Sequence, residues 1–490
     1  MRRGRPRPPR QGKAARLKPF DKPPLPISLA MTSTPGHSEL RHAGECRDPR
    51  VSSRERSRAW RAFARYHAVP PPGRSPLIAA LRDGRWLHRN RIIAWGSMLL
   101  TAELLLVLVI AAWQHGLIGH FNAPVSSDFL SFYAAGKLAL AGTPALAYDH
   151  AAHYLAEQQV AGTGVPYQFF FYPPVFLLPC AVLALLPYAL AYALFEAGTL
   201  ALFLLAMRAI LRPSGWGWML PVLAFPAVFW TIGLGQNAFL TAALFGGFTL
   251  LLDRRPVSAG LLLSAMCYKP HFGLLAPVAL AAGGRWRAFA AAAAGVVGLV
   301  GASLWLFGGD IWTAYLHGFA ASGSVYETGR IQFAGMVTPF GGMLLLGFGV
   351  WPAYAVQALA TVSAAVLVGL VWRRSPDLSL RSAALLAGTL LAVPLALLYD
   401  QMLWLVALGW LVHAGRRDGF LPWEKLVLLA CYPLILLTWP IATGLHVPLG
   451  PVESAALLLL VARRVWWHPV RQSGRQLEFG RSGSVATATP

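Results

Sequence analysis

"IIAWGSMLLTAELLLVLVIAAWQHGLI", residues 92–118, holds a single formal charge, Glu103, in a run long enough to cross a bilayer. A transmembrane helix needs roughly 20 consecutive apolar residues. Comparable runs cover 172–211, 287–307, 335–372 and 381–412, and several are long enough to form hairpins. Of the 490 residues, 56% are hydrophobic and 13% charged, with a mean hydropathy of +0.51. A soluble domain carries about 25% charged residues. The sequence therefore predicts an all-α polytopic membrane protein of about ten to thirteen transmembrane helices, with short amphipathic helices in the first outer loop.

The net charge of +22 invites a nucleic-acid reading until its location is considered. Residues 1–91 hold 22 Lys/Arg against 6 Asp/Glu, so most of the excess sits in one Pro- and Arg-rich stretch without apolar periodicity. That composition predicts a disordered basic tail beside the first span, on the cytoplasmic side and attracted to anionic lipid. No zinc-binding or aromatic-interleaved module accompanies the charge, which argues against nucleic acid as a partner. A charged stretch of this length is not a signal peptide. Residues 468–490 read as a second disordered tail, leaving 92–467 as the membrane domain. Cys46, Cys180, Cys267 and Cys431 lack CxxC or metal-ligand spacing, so neither a disulfide framework nor a zinc site is indicated. No metal motif is found and no cofactor is expected, a divalent cation remaining open.

The basic clusters "LDRRPVS" (252–258), "GGRWR" (283–287), "WRRS" (372–375) and "HAGRRDG" (413–419) lie at the ends of apolar runs. The positive-inside rule places them, with the N-terminus, in the cytoplasm of a multi-pass inner (plasma) membrane protein. The loop 119–170 then lies outside. Fewer than thirty residues separate the first two clusters, too few for two ordinary spans, and they are interrupted at "CYKPHFG" (267–273). "AFPAVFWTIGLGQN" (224–237) is similarly broken by Pro226, Gly233 and Gly235. Non-helical backbone at membrane depth survives only where protein or a wet cavity satisfies it, so both breaks point toward a site.

Candidate functional residues follow from these positions. "SSDFLSFYAAGKLALAGTPALAYD" (126–149) forms a helix with an apolar stripe at Phe129, Phe132, Tyr133, Gly136 and Leu140, capped by Ser126 or Ser127 and ended by Gly142-Thr143-Pro144. Asp128 stands in its first turn, where a carboxylate is either a dipole-favoured capping group or a working acid. Lys269, inside an apolar run, is either a functional cation or a side chain snorkelling from a broken helix. His271 is a further donor candidate. Gln236 and Asn237 follow a glycine-rich break, where they bind a ligand or cap the next helix. Tyr172 precedes two prolines that bend the entry of the second span. Asp400 is a carboxylate in an apolar hairpin, and Arg330 belongs to the polar loop after residue 322. Asp149 reads as a helix cap.

The string from Asp128 to Asp149, then "FFYPPVFLLPCAVLALLP" (170–187), "GLGQNAFLTAALFGG" (233–247) and "RRPVSAGLLLSAMCYKPHFGLLAPVALAAGGRWRAF" (254–289), resembles the glycosyltransferase family 87 pattern in order and spacing, over roughly 120–415. The resemblance implies a GT-C-like membrane bundle, similar to polyprenyl-phosphate-mannose-dependent mannosyltransferases. It implies inverting transfer of a mannose-like hexose from a polyprenyl-phosphate donor to a lipid or cell-envelope glycan on the extracytoplasmic face. Asp128 is then the general base. Lys269, His271, Gln236, Asn237, Tyr172, Asp400 and Arg330 are the candidates for holding the donor's phosphate or sugar. The absence of a DxD motif, the usual carboxylate pair for a metal–nucleotide donor, agrees with that donor class. A multi-pass transporter or lipid-linked sugar flippase is the alternative, although the symmetry-related breaks such a fold would show are not evident.

Overall fold

The chain divides into Met1–Pro72 and Gly73–Pro490, and the computed structural model describes residues 75–113, 128–212 and 215–467, all in the second unit. The disorder expected of residues 1–74 and 468–490, the Ser126 or Ser127 cap, and Cys46 lie outside the described residues. In chain order the helices are α1 (Pro76–Asp83), α2 (Arg89–Trp113), α3 (Asp128–Leu140), α4 (His150–Ala161), α5 (Leu177–Leu183) and α6 (Tyr188–Leu211). They continue with α7 (Met219–Leu223), α8 (Pro226–Leu234), α9 (Ala238–Leu251), α10 (Pro256–Ser264), α11 (Ala276–Ala282) and α12 (Trp286–Phe307). The rest are α13 (Asp310–Glu327), α14 (Pro339–Leu345), α15 (Val350–Arg374), α16 (Leu378–Ala392), α17 (Met402–Asp418), α18 (Glu424–Leu445) and α19 (Leu449–Trp467).

The all-α membrane architecture expected from the hydropathy is present, but its spans are less uniform than the runs suggest. Among the described residues four helices, α6, α12, α15 and α18, are long and apolar enough to cross a bilayer, or five if the bent segment Trp216–Leu234 is one span. Shorter apolar pieces such as Pro174–Leu183, Ala238–Leu251 and Leu378–Ala392 make up much of the remaining apolar sequence. Prolines explain part of this. Pro226 opens α8 after a 65° bend, because it cannot continue the ladder of the helix before it. Outward-facing residues such as Trp305 and Trp351, each 84% exposed, form the surface a lipid phase would cover.

Helical order begins inside the stretch whose composition suggests a tail. Ser75 caps α1, Pro76 occupies its first turn, and Gly84 closes it in the left-handed conformation. The peptide N–H of Trp423 donates to the Arg82 carbonyl at 2.7 Å, and Lys425 Nζ donates to the Gly84 carbonyl at 3.0 Å, tying α1 to the start of α18.

The short interval between the first two basic clusters is a re-entrant hairpin. Its first arm, Pro256–Tyr268, and its second, Pro270–Ala282, meet at Lys269. Thirteen residues at 1.5 Å each carry the chain only about 20 Å, short of a full crossing. Ion pairs gather three of the basic clusters around the start of α16, which the fourth, 372–375, precedes directly in the chain. Asp253 binds Arg285 at 2.8 Å and Arg381 at 2.9 Å, while Arg417 binds Asp377 at 2.5 Å. An interval too short for two spans therefore enters and leaves from the same end. The packing of α10 on α12 depends on small residues, as is common between membrane helices: a Cβ on Gly260 would stand 2.3 Å from the Ala288 carbonyl oxygen.

The helices α16 and α17 are buried around almost their whole circumference and form the centre of the core. The helix expected to lie amphipathically on the membrane surface, α3, differs from that reading. Every residue from Phe129 to Gly136 is buried, because α4, α5 and the turn Pro144–Tyr148 enclose it. Its apolar stripe is only one wall of an all-round contact. Gly136 permits the closest approach: a Cβ there would lie 2.1 Å from the Cys180 carbonyl oxygen.

Replacing Gly136 by alanine should therefore destabilise the protein by about 1–3 kcal/mol through overpacking. A lowered melting temperature of the detergent-solubilised protein checks this, and an unchanged one would show that α3 and α5 do not touch.

Candidate functional site

Asp128 begins α3 and its carboxylate is half-buried. The side chain of Gln236 reaches it from the break between α8 and α9, Nε2 donating to Asp128 Oδ2 at 2.5 Å. Gly235, at φ 65°, ends α8 in the left-handed conformation and turns Gln236 inward. Burial pushes the Asp128 carboxyl above the ordinary aspartate value, while the Gln236 bond and the positive charge of Lys269 pull it back down. The hydroxyl of Tyr172 donates to Gln236 Oε1 at 3.4 Å, completing a chain of three polar side chains. Asn237 is fully buried, with its side chain against the Tyr172 hydroxyl. The capping role open to Asn237 is not realised by its side chain, since α9 has no side-chain cap bond.

Lys269 occupies the tip of the re-entrant hairpin, between two short 3-10 turns, and is 5% exposed. Its Nζ pairs with Asp400 Oδ1 at 3.0 Å. The other oxygen of Asp400 accepts from the Leu397 peptide N–H at 2.9 Å, in the turn that starts α17. The ammonium also stands over the rings of Tyr399, at 5.2 Å, and Phe272, at 5.5 Å. Snorkelling to a surface is thus not what this lysine does. The hydroxyls of Tyr172, Tyr326 and Tyr399 lie within electrostatic range of both Asp128 and Asp400. One cluster therefore joins the two broken segments, the start of α3 and the start of α17.

The remaining candidates lie around this cluster. His271 is next to Lys269, with its ring against Phe272 at 4.4 Å, and makes no hydrogen bond that the structure records. Arg330 is exposed and lines a cavity of about 220 Å³ that neither Asp128 nor Lys269 lines. Asp149 is the cap that its position suggests, Oδ1 accepting from the Ala152 peptide N–H at 2.8 Å. Among the described residues no three His, Cys, Asp or Glu side chains gather closely enough to hold a metal ion.

A second buried pair lies beneath α3, and the sequence reading passed over it. His153 and Glu157 are both fully buried, with Nδ1 and Oε1 3.6 Å apart. His153 Nε2 faces the Ser131 carbonyl at 3.1 Å, and Glu157 Oε2 accepts from the Gln168 peptide N–H at 3.0 Å. With its Nε2 proton given to Ser131, the imidazole presents a bare Nδ1 to the carboxyl. Burial holds His153 down, to about 4, and pushes Glu157 up, to about 8, which favours a neutral imidazole beside a protonated carboxyl at neutral pH. The signal available in sequence was the i, i+4 spacing of His and Glu in "HAAHYLAE".

A carboxyl whose folded pKa exceeds its ordinary 4.5 favours folding at low pH, and that contribution is lost as the pH rises toward about 8. Glu157→Gln keeps the acceptor for Gln168 and cannot ionise. Thermal unfolding from pH 6 to 9 should show the variant holding its stability while the wild type declines. The gap should reach about 1.4 kcal/mol or more, the value of one pK unit.

Residues 170–398 match the model of glycosyltransferase family 87, the family that the sequence motifs resemble. The match contains Tyr172, Gln236, Asn237, Lys269, His271 and Arg330, and it is shorter than the span over which the motifs run. It begins after Asp128 and stops two residues before Asp400. No curated protein and no solved structure matches the chain. The family indicates a membrane glycosyltransferase, with a sugar donor and an acceptor met in a membrane.

Proposed function

We propose, taking as premise that residues 170–398 are those of a family 87 membrane glycosyltransferase, that this protein moves a mannose-like hexose from a polyprenyl-phosphate donor to a lipid or cell-envelope glycan. Asp128 acts as general base in a single inverting displacement at the extracytoplasmic face of the inner membrane, with the N-terminus inside. The observation that carries this reading is the half-buried Asp128 carboxylate, oriented by Gln236 and placed in the electrostatic field of Lys269. Acceptor oxygen attacks the anomeric carbon while Asp128 takes its proton. The bond from that carbon to the phosphate oxygen breaks, and its electron pair leaves with polyprenyl phosphate. Lys269 and the donors of Gln236, Asn237 and Tyr172 offset the negative charge that develops on the phosphate. His271 and Asp400 complete the donor side, Asp400 by holding Lys269 in place.

The gathering of the basic clusters around the start of α16 supports the orientation, since the positive-inside rule makes that end cytoplasmic and the re-entrant tip points away from it.

Asp128→Asn preserves the shape and removes the base. It should leave membrane insertion and melting temperature intact while lowering transfer from a polyprenyl-phosphate hexose by about 10²–10⁴-fold. Wild-type turnover by the purified variant in lipid would reject the assignment.

The direction of the Asp128 shift adds a pH signature. Transfer should fall as the pH drops through the Asp128 pKa, with the acid limb above the roughly 3.9 of an unperturbed aspartate. The limb should be absent from the residual rate of Asp128→Asn.

A further inference from the structure

We infer that the cavity beside the charged cluster is a binding site for a non-reacting sugar unit of the acceptor, and that it selects a sugar carrying a negative charge. The inference rests on the transferase reading above and goes further by assigning the acceptor's chemistry and place.

The cavity, about 220 Å³, lies between the start of α4, the segment 167–171, the second half of α13 and Arg330. It is smaller than the roughly 300–1,000 Å³ of a drug-sized pocket, so it takes a small part of a glycan. Its walls are aromatic. Phe169 and Phe171 stack at 5.1 Å with their planes within 13°, and His150 lies on Tyr167 at 4.1 Å. Tyr148 and Tyr315 meet at 5.5 Å on the far wall. Flat ring faces with negative quadrupoles suit the C–H faces of a pyranose, and the tyrosine hydroxyls supply polar contacts to its edge. An isoprenoid chain is a poorer match, because Ala147 and Val325 are the only aliphatic side chains in the lining.

Charge sets the selectivity. Among the described residues no carboxylate lines the cavity, although Glu157 and Asp149 act on Tyr167 in its wall, whereas Arg330 and His150 line it directly. The acid closest in sequence, Glu327, accepts a hydrogen bond from the Tyr354 hydroxyl at 2.9 Å, and the structure records no ion pair for it with Arg330. An exposed guanidinium at an aromatic rim favours a carboxylate or phosphate on the bound sugar, through charge-assisted bonds.

The cavity is also connected to the carboxylate. Tyr148 donates to the Tyr172 carbonyl at 3.0 Å, and Phe171 packs on Tyr326 at 5.5 Å. Tyr172 and Tyr326 are both in range of Asp128. The cavity wall therefore continues, through Tyr148 and Phe171, into residues within the electrostatic reach of Asp128, which suits a neighbouring unit whose binding orients the attacking hydroxyl.

The test uses the full chain in lipid nanodiscs and saturation-transfer NMR with three probes that differ in charge: methyl glucoside, methyl glucuronide and glucose 6-phosphate. Polyprenyl phosphate is titrated in parallel. At least one anionic probe should bind about tenfold tighter than the neutral one, the worth of a charge-assisted bond. The better anion tells a carboxylate-bearing acceptor from a phosphorylated one. Arg330→Gln should erase the preference, and Phe169→Leu should weaken all three probes by about fivefold. Both variants should bind polyprenyl phosphate as the wild type does. Absence of binding by every probe overturns the inference, as does an Arg330→Gln protein that loses polyprenyl phosphate and keeps its sugar preference. Anionic-sugar binding in a protein that uses no polyprenyl donor supports this site and removes the donor reading. Donor turnover without any sugar binding does the reverse.

Discussion

An ammonium and two carboxylates share one poorly solvated region of this protein, and their mutual attraction is what makes that region possible. Removing an ion from water costs several kcal/mol unless a partner and hydrogen bonds compensate. Lys269 is compensated by Asp400, and Asp400 in turn by the Leu397 peptide N–H. Asp128 is held by Gln236 and by the more distant Lys269 charge. When both acids are ionised the three side chains carry one net negative charge. A proton arriving on Asp128 balances them, which is the direction a base must favour.

The fold is arranged around that cluster. Two interrupted segments converge, one ending at Gly235 and the other turning at Lys269, and each break exposes polar groups that a continuous helix would have kept internal. The re-entrant hairpin reaches the cluster from the end where the basic residues gather, and α3 reaches it from the loop side. The contact of Gly136 with the Cys180 carbonyl fixes how deeply α3 sits, and hence where Asp128 stands. The His153–Glu157 pair closes the space beneath α3, with His153 facing the Ser131 carbonyl on that helix.

Beside this cluster the segment 167–172 divides the molecule into two environments. Phe169 and Phe171 line the aromatic cavity, and Tyr172 faces Gln236. A charged reaction centre and a stacking surface are thus separated by one stretch of chain. In the proposed transferase this geometry keeps donor and acceptor recognition apart while leaving them close enough to react.

Much of this was legible in the residues. Long apolar runs required membrane helices, and the positive-inside pattern singled out four basic clusters, three of which carry ion pairs that meet one another or the start of α16. An interval of fewer than thirty residues could not hold two ordinary spans, whereas the residues left open whether Lys269 was a functional cation or a snorkelling side chain. Those inferences hold because burial and chain length are local costs, readable wherever the residues stand. The sequence did not reveal that Asp400 is the partner of Lys269, that Gln236 orients Asp128, or that α3 is enclosed on all sides. It was equally silent on His153 with Glu157 and on the cavity bounded by residues as far apart as Ala147 and Arg330. These are meetings of side chains distant in sequence, and only the packing of the helices decides which charges share a dielectric and which rings share a wall.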